Sequence, residues 1–180
     1  MTGPEPVAAA LVAALAGRGE TLATAESLTG GLIGAALTAV PGASAVYLGG
    51  VVSYATGLKA SLAGVPVAVL AAHGPVAGPT AAAMAAGVRE RTGADWVLAA
   101  TGVAGPDPQD GHRPGEVWLG LAGPGRTPAA RRFDFPGDRD AVRAATVAAA
   151  LGVLAEAVAS DDQPRAGTGN TGHGRGVVPP

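Results

Sequence analysis

The sequence predicts an α/β fold: a single-domain layered sandwich with a mixed sheet flanked by helices. Three observations predict it. Short apolar, β-compatible runs alternate with alanine-rich helical stretches, glycine and proline turns separate them, and two consecutive strands late in the chain read as a hairpin. Alternation of strands and helices favours parallel pairing under helical cover, while a hairpin adds antiparallel partners.

Each element has its own local reason. Pro6 stands where a helix can begin, and residues 7–16 form an alanine-rich helix ended by Gly17. Residues 21–25 are β-compatible. Gly30-Gly31 opens a second helix over 32–39, which Pro41-Gly42 stops. Residues 47–54 carry the β-formers Tyr47, Val51 and Val52, with Gly49-Gly50 marking a bulge or a close backbone approach. Short helices follow over 55–62, carrying Lys59, and 67–72, closed by His73-Gly74-Pro75. Residues 79–92 make a helix with proline at its start and Gly93 after its end. A buried strand over 95–101 runs into Gly102-Val103-Ala104-Gly105-Pro106, and a polar loop spans 107–114. Strands at 116–121 and 131–135 form the hairpin, and a long helix covers 138–158. The domain therefore occupies 1–159. Residues 160–180, rich in glycine, proline and polar side chains, read as a disordered tail in which His173 is incidental.

Composition narrows the function classes. Of 180 residues, 48% are apolar but only 3% aromatic, so the core is built from Ala, Val and Leu, each burying little area. Such a chain gains from burial between copies, and a homo-oligomer is the expectation. A net charge of −2 argues against a general nucleic-acid binder. The chain has no cysteine, which removes disulfides, thiolate metal sites and Cys nucleophiles. Met1 to Pro6 lack the basic start of a secretory signal, and no apolar run reaches membrane-spanning length uninterrupted. A cytoplasmic protein acting on neither nucleic acid nor membrane is expected. His73 and His112 are isolated, so no metal and no cofactor are expected.

Four segments can carry chemistry. In Thr24-Ala25-Glu26-Ser27-Leu28-Thr29-Gly30-Gly31, Ser27 or Thr29 can serve as a nucleophile and the helix-start N–H groups can hold an oxyanion; equally, one hydroxyl can cap the helix. The pattern matches neither G-x-S-x-G nor a phosphate-binding Walker loop. In Ser53-Tyr54-Ala55-Thr56-Gly57-Leu58-Lys59, Lys59 is the sole lysine of a chain whose other basic residues are arginines. A buried lysine can lose its proton and act as a base, which arginine cannot. A surface lysine in an arginine-biased chain is the plain alternative. Tyr54 either orients Lys59 or fills the core. Thr101-Gly102-Val103-Ala104-Gly105-Pro106 leaves a buried strand, as ligand-binding loops do, or is an ordinary turn. Arg139 and Arg143 share a face at the start of the last helix, where they can bind phosphate or pair with Asp138 and Asp140.

Taken in order, T-A-E-S-L-T-G-G, P-G-A-S-A, G-G-V-V-S-Y-A-T-G-L-K, T-G-V-A-G-P and G-D-R-D-A-V-R strongly resemble the CinA C-terminal domain family, over residues 7–158. Stand-alone members include nicotinamide-nucleotide amidohydrolases, and longer ones carry an additional N-terminal domain; at 180 residues the chain is expected to be the short, single-domain form. The resemblance implies hydrolysis of nicotinamide mononucleotide to nicotinate mononucleotide and ammonia, in pyridine-nucleotide salvage, without a cofactor. It implies Ser27 as nucleophile, with Thr29 a close competitor, and Lys59 as general base beside Tyr54. Thr29, Gly30 and Gly31 would form the oxyanion cradle. Thr101, Gly102 and Gly105 would line the nucleotide pocket, and Arg139 with Arg143 would hold the phosphate. At Asp107-Pro108-Gln109-Asp110 the chain departs from the Gly-Gly pair common in relatives. The competing expectation is a non-catalytic nucleotide-binding or interaction module linked to competence or DNA damage.

Overall fold

The computed structural model describes residues 4–161. Helix α1 (Pro4–Arg18) leads into strand β1 (Leu22–Glu26), helix α2 (Leu32–Thr38), a single 3-10 turn (Ala43–Ala45) and strand β2 (Tyr47–Val52). Helices α3 (Thr56–Ser61), α4 (Val67–His73) and α5 (Gly78–Thr92) precede strand β3 (Trp96–Gly102). Strands β4 (Glu116–Ala122) and β5 (Ala129–Asp134) and helix α6 (Arg139–Asp161) complete the described chain.

The sheet runs β2-β1-β3-β4-β5. β1 pairs in parallel with both β2 and β3, whereas β3–β4 and β4–β5 are antiparallel. The mixed sheet expected from the alternating pattern and the hairpin is thus observed. The period-2 alternation of the strands divides the core in two. Leu22, Trp96, Leu98 and Leu119 face α1, α2 and α6, meeting Leu11, Leu15, Ile33, Leu37, Leu151 and Leu154. Ala23, Ala25, Val97 and Ala99 face the opposite way, against Met84, Ala85 and Val88 of α5. The small residues on this second face bring α5 close to the sheet: a Cβ at Gly120 would run into the Ala81 carbonyl.

Helix boundaries differ from expectation where the first turn tolerates proline. α1 begins at Pro4, before Pro6, because N–H groups of a first turn have no intrahelical partner to lose. α6 continues through Ser160 and Asp161, so the boundary expected at 159 falls inside a helix; residues 162–180, including His173, lie outside the described residues. Among the described residues α6 is the one helix long and apolar enough to cross a membrane by length and composition. It lays Val142, Val147, Ala150, Leu151, Leu154 and Val158 into the core.

Strand order positions the site. The chain leaves β1 toward α2 on one face and reaches β3 through α5 on the other, so the carboxyl ends of β1, β2 and β3 surround a crevice, the usual ligand position of such sheets.

Candidate active site

Ser27 follows the last residue of β1. Its N–H donates to the Ala100 carbonyl (2.9 Å), and the Ser53 N–H donates to the Glu26 carbonyl (2.8 Å). Both serines are therefore held as extensions of the sheet. Lys59, on α3, turns inward and is 2% exposed. Its Nζ donates to Ser27 Oγ at 2.8 Å and to the Ser53 carbonyl at 3.1 Å. Burial pulls the Lys59 ammonium down from its ordinary 10.5 to about 8. No carboxylate stands beside it to hold the proton, so desolvation acts unopposed.

A cavity of about 540 Å³, open mouth included, lies over this pair. Ser27, Tyr54, Lys59, Thr101, Gly102, Gly105 and Arg139 all line it, brought together from four separate stretches of sequence. Thr101, itself buried, donates its hydroxyl to the Pro75 carbonyl (2.7 Å) and so ties β3 to the segment ahead of α5. Arg139 reaches across the mouth, donating to the Gly105 carbonyl and to the Tyr54 hydroxyl, each at 3.0 Å. Its hydrogen bonds engage no carboxylate, which leaves its charge available to an anion.

Four expected site residues lie elsewhere. Thr29 is fully buried, its hydroxyl has no hydrogen-bond partner among the described residues, and it is absent from the cavity wall. Gly30 and Gly31 shape the turn rather than an oxyanion cradle. Both hold positive φ, 61° and 99°, a conformation that glycine adopts without a Cβ clash. Their N–H groups are already engaged, that of Gly30 by the Ser27 carbonyl (3.0 Å) and that of Gly31 by Glu26 Oε2 (2.9 Å). The donors left after Ser27 are the N–H groups of Leu28 and Thr29, which reach no acceptor among the described residues, and Leu28 lines the cavity. Arg143 does not face the cavity either. It donates to the carbonyls of Leu28 and Thr29, both at 3.2 Å, and so braces the Ser27 turn from behind.

Glu26 is the residue whose role the sequence did not reveal. It is 2% exposed, and its carboxylate accepts from the N–H groups of Gly31 (2.9 Å), Ile33 (3.1 Å) and Gly34 (2.8 Å). It caps α2 from the end of the preceding strand, where helix N–H groups favour negative charge. A lone acid ending an apolar strand just before Gly-Gly was the available signal. Replacing one accepting oxygen with an amide turns an N–H toward N–H donors. Glu26→Gln is expected to lose about 2 kcal/mol in urea denaturation, with the Ser27 turn loosened. Asp107, Gln109 and Thr56, to which the sequence reading gave no role in the site, also line the cavity.

The model of the CinA C-terminal domain matches residues 4–158. The chain belongs to the CinA C-terminal domain family. A CinA-like protein of Frankia casuarinae is 55% identical over 137 residues, 76% of this chain and 31% of that protein. A putative competence-damage inducible protein of Geobacillus kaustophilus is 47% identical over 144 residues, 80% of this chain and 35% of that protein. The chain thus spans about a third of the length of these CinA-like relatives. Among solved structures, competence damage-inducible protein A (ComA) of Klebsiella pneumoniae superposes with a TM-score of 0.84 at 35% identity, covering 88% of this chain and 98% of that one. Competence/damage inducible protein CihA of Agrobacterium tumefaciens gives 0.83 at 33%, covering 88% and 97%. The CinA domain is thereby linked to proteins named for competence and damage induction.

Proposed function

We propose that this CinA domain is a cytoplasmic amidohydrolase that converts nicotinamide mononucleotide to nicotinate mononucleotide and ammonia. The observation that carries the reading is the 2.8 Å hydrogen bond between Lys59 Nζ and Ser27 Oγ on a cavity wall, with the lysine buried away from any counter-charge. A surface lysine or a capping serine has no need of that arrangement. A base and a nucleophile in hydrogen-bond contact are what acyl transfer needs.

The steps follow from the positions. Neutral Lys59 takes the Ser27 proton as Oγ bonds to the carboxamide carbon. The carbonyl oxygen becomes an oxyanion, for which the unengaged N–H of Leu28, and behind it that of Thr29, are the nearest backbone donors to Ser27. The Lys59 ammonium then returns its proton to the departing nitrogen, the C–N bond breaks, and ammonia leaves a Ser27 ester. Water, deprotonated by the same amine, attacks the ester carbon. The carboxylate product forms and Ser27 regains its proton.

Arg139, at the far side of the mouth, is the proposed holder of the substrate phosphate, exchanging its neutral partners Gly105 and Tyr54 for an anion. Arg139→Met is expected to raise KM for the mononucleotide roughly 10- to 100-fold while leaving kcat within a few-fold. Turnover of the uncharged riboside should barely change. Steady-state assays on both substrates check this, and equal loss on both would remove the phosphate role.

A panel of nicotinamide, its riboside and its mononucleotide, with ammonia as the readout, tests the substrate. The mononucleotide should lead. Folded protein that binds the mononucleotide yet releases no ammonia would favour the interaction-module reading.

A further inference from the structure

We propose that Asp107 makes the site selective for a ribonucleotide, its carboxylate accepting hydrogen bonds from the 2′- and 3′-hydroxyls of the substrate ribose. The inference rests on the proposed function, which places the carboxamide at Ser27 and the phosphate at Arg139 and so sets the sugar between them. Asp107 is the one carboxylate on the cavity wall. It stands two residues after Gly105, whose carbonyl accepts from Arg139, so its Cα lies at most about 7 Å from the Arg139 anchor.

Its charge is unspent. The Asp107 side chain takes part in no hydrogen bond or ion pair among the described residues, although the Arg139 guanidinium engages Gly105 close by. Asp110, next in the same loop, accepts from Gln109 Nε2 (3.4 Å), and Glu116, at the loop's end, accepts from His112 and Trp118. A carboxylate can only accept, and a vicinal diol presents two adjacent O–H donors. The phosphate of the same substrate is a like charge and is turned away from Asp107 toward Arg139.

The loop carrying Asp107 is a built wall. Gln109 and His112 exchange backbone hydrogen bonds of 3.0 and 2.9 Å across Asp110-Gly111, whose φ values of 50° and 81° make the tight two-residue turn that joins antiparallel strands. The loop is tied at its base by the Val103 N–H to the Glu116 carbonyl (2.9 Å) and the Gly115 N–H to the Val103 carbonyl (2.8 Å). The His112 ring clasps Glu116 at 3.0 Å. Pro106 and Pro108 flank Asp107, and a residue before proline is confined to extended backbone. Asp107 is thus held at the mouth before substrate arrives, so little ordering entropy opposes the contact. An ordinary surface aspartate needs neither the cavity position nor this bracing.

Calorimetric titration of the full chain carrying Ser27→Ala, with nicotinamide mononucleotide and with its 2′,3′-dideoxy analogue, tests the inference. The ribonucleotide should bind at least about tenfold more tightly, the worth of a hydrogen bond to a charged group. Adding Asp107→Ala should shrink that preference to within about twofold. Asp107→Asn, which keeps one accepting oxygen, should retain part of it. Circular dichroism should show every variant folded. Equal binding of the two nucleotides before Asp107 is changed, or a preference that survives Asp107→Ala, would overturn the inference. Equal losses on both nucleotides would also overturn it, assigning Asp107 to the pyridinium charge instead of the diol. Ammonia release by the wild type keeps the two readings apart. A preference lost with Asp107 but no ammonia would sink the hydrolase and leave the ribose contact standing, whereas binding of neither nucleotide would overturn both.

Discussion

Lys59→Met is expected to abolish amide hydrolysis while making the protein more stable at neutral pH. Methionine fills nearly the same volume without a charge. The folded protein holds a proton on Lys59 only up to about pH 8, whereas the unfolded chain holds it to about 10.5. The unfolded state therefore binds more protons between those values, and wild-type stability rises with pH across that window. Below about pH 8 the full cost of burying the ammonium is present, on the order of 3 kcal/mol. Losing the donor to the Ser53 carbonyl and to Ser27 offsets about 1 kcal/mol of the gain. Denaturant titrations should show the variant ahead of the wild type by about 2 kcal/mol at pH 7, with the difference shrinking as pH passes from 8 toward 10.5. A variant less stable than wild type at pH 7 would mean that the lysine is held by a counter-charge after all.

The same proton governs the rate. Only neutral Lys59 can accept the Ser27 proton, so kcat/KM should climb about tenfold per pH unit below the lysine's value and level off above about 8. Lys59→Arg should be nearly inactive at every pH, because guanidinium does not deprotonate in this range.

The second large effect belongs to Ser27. Ser27→Ala removes one oxygen from a residue that is 7% exposed and leaves the N–H bond to the Ala100 carbonyl in place. The fold should survive with a change within about 1 kcal/mol, and the mononucleotide should still bind. Turnover should fall by at least about 10⁴-fold, since removing a nucleophile disables the whole unit rather than one contribution to it. Calorimetric binding with no ammonia release is the expected pair of results.

Sequence and structure agree best where local chemistry decides. Gly-Gly at 30–31, Pro41-Gly42 and Gly93 end or open elements because their backbone angles allow nothing else to fit as well, with Gly31, Gly42 and Gly93 all at positive φ. Lys59 stood out because a chain that places arginine at every other basic position keeps one amine, and the fold buries it. The misread residues share a different cause. Gly30, Gly31 and Arg143 occupy the right neighbourhood, but their hydrogen-bonding capacity is already taken, that of Gly30 by the Ser27 carbonyl of its own turn, that of Gly31 by the Glu26 carboxylate and that of Arg143 by carbonyls far away in sequence. Glu26 reaches over the turn to take the helix-start donors, and Arg143 crosses from α6 to hold carbonyls 114 and 115 residues away. Sequence patterns show which donors a helix start offers, and only the packed structure shows which are already engaged. Thr29 stood as a close competitor to Ser27 for the same reason: its side-chain direction depends on the turn that the two glycines impose.

Thr29 supplies the sharpest comparison. Its buried, unpartnered hydroxyl makes Thr29→Val a near-isosteric change that should add about 1 kcal/mol of stability and leave catalysis intact. Ammonia release from nicotinamide mononucleotide at pH 8, measured side by side for the wild type, Ser27→Ala and Thr29→Val, tests the Ser27–Lys59 account most directly. Release by the wild type and Thr29→Val with none from Ser27→Ala is the predicted result. Release by Ser27→Ala, or silence of a folded Thr29→Val, would contradict it.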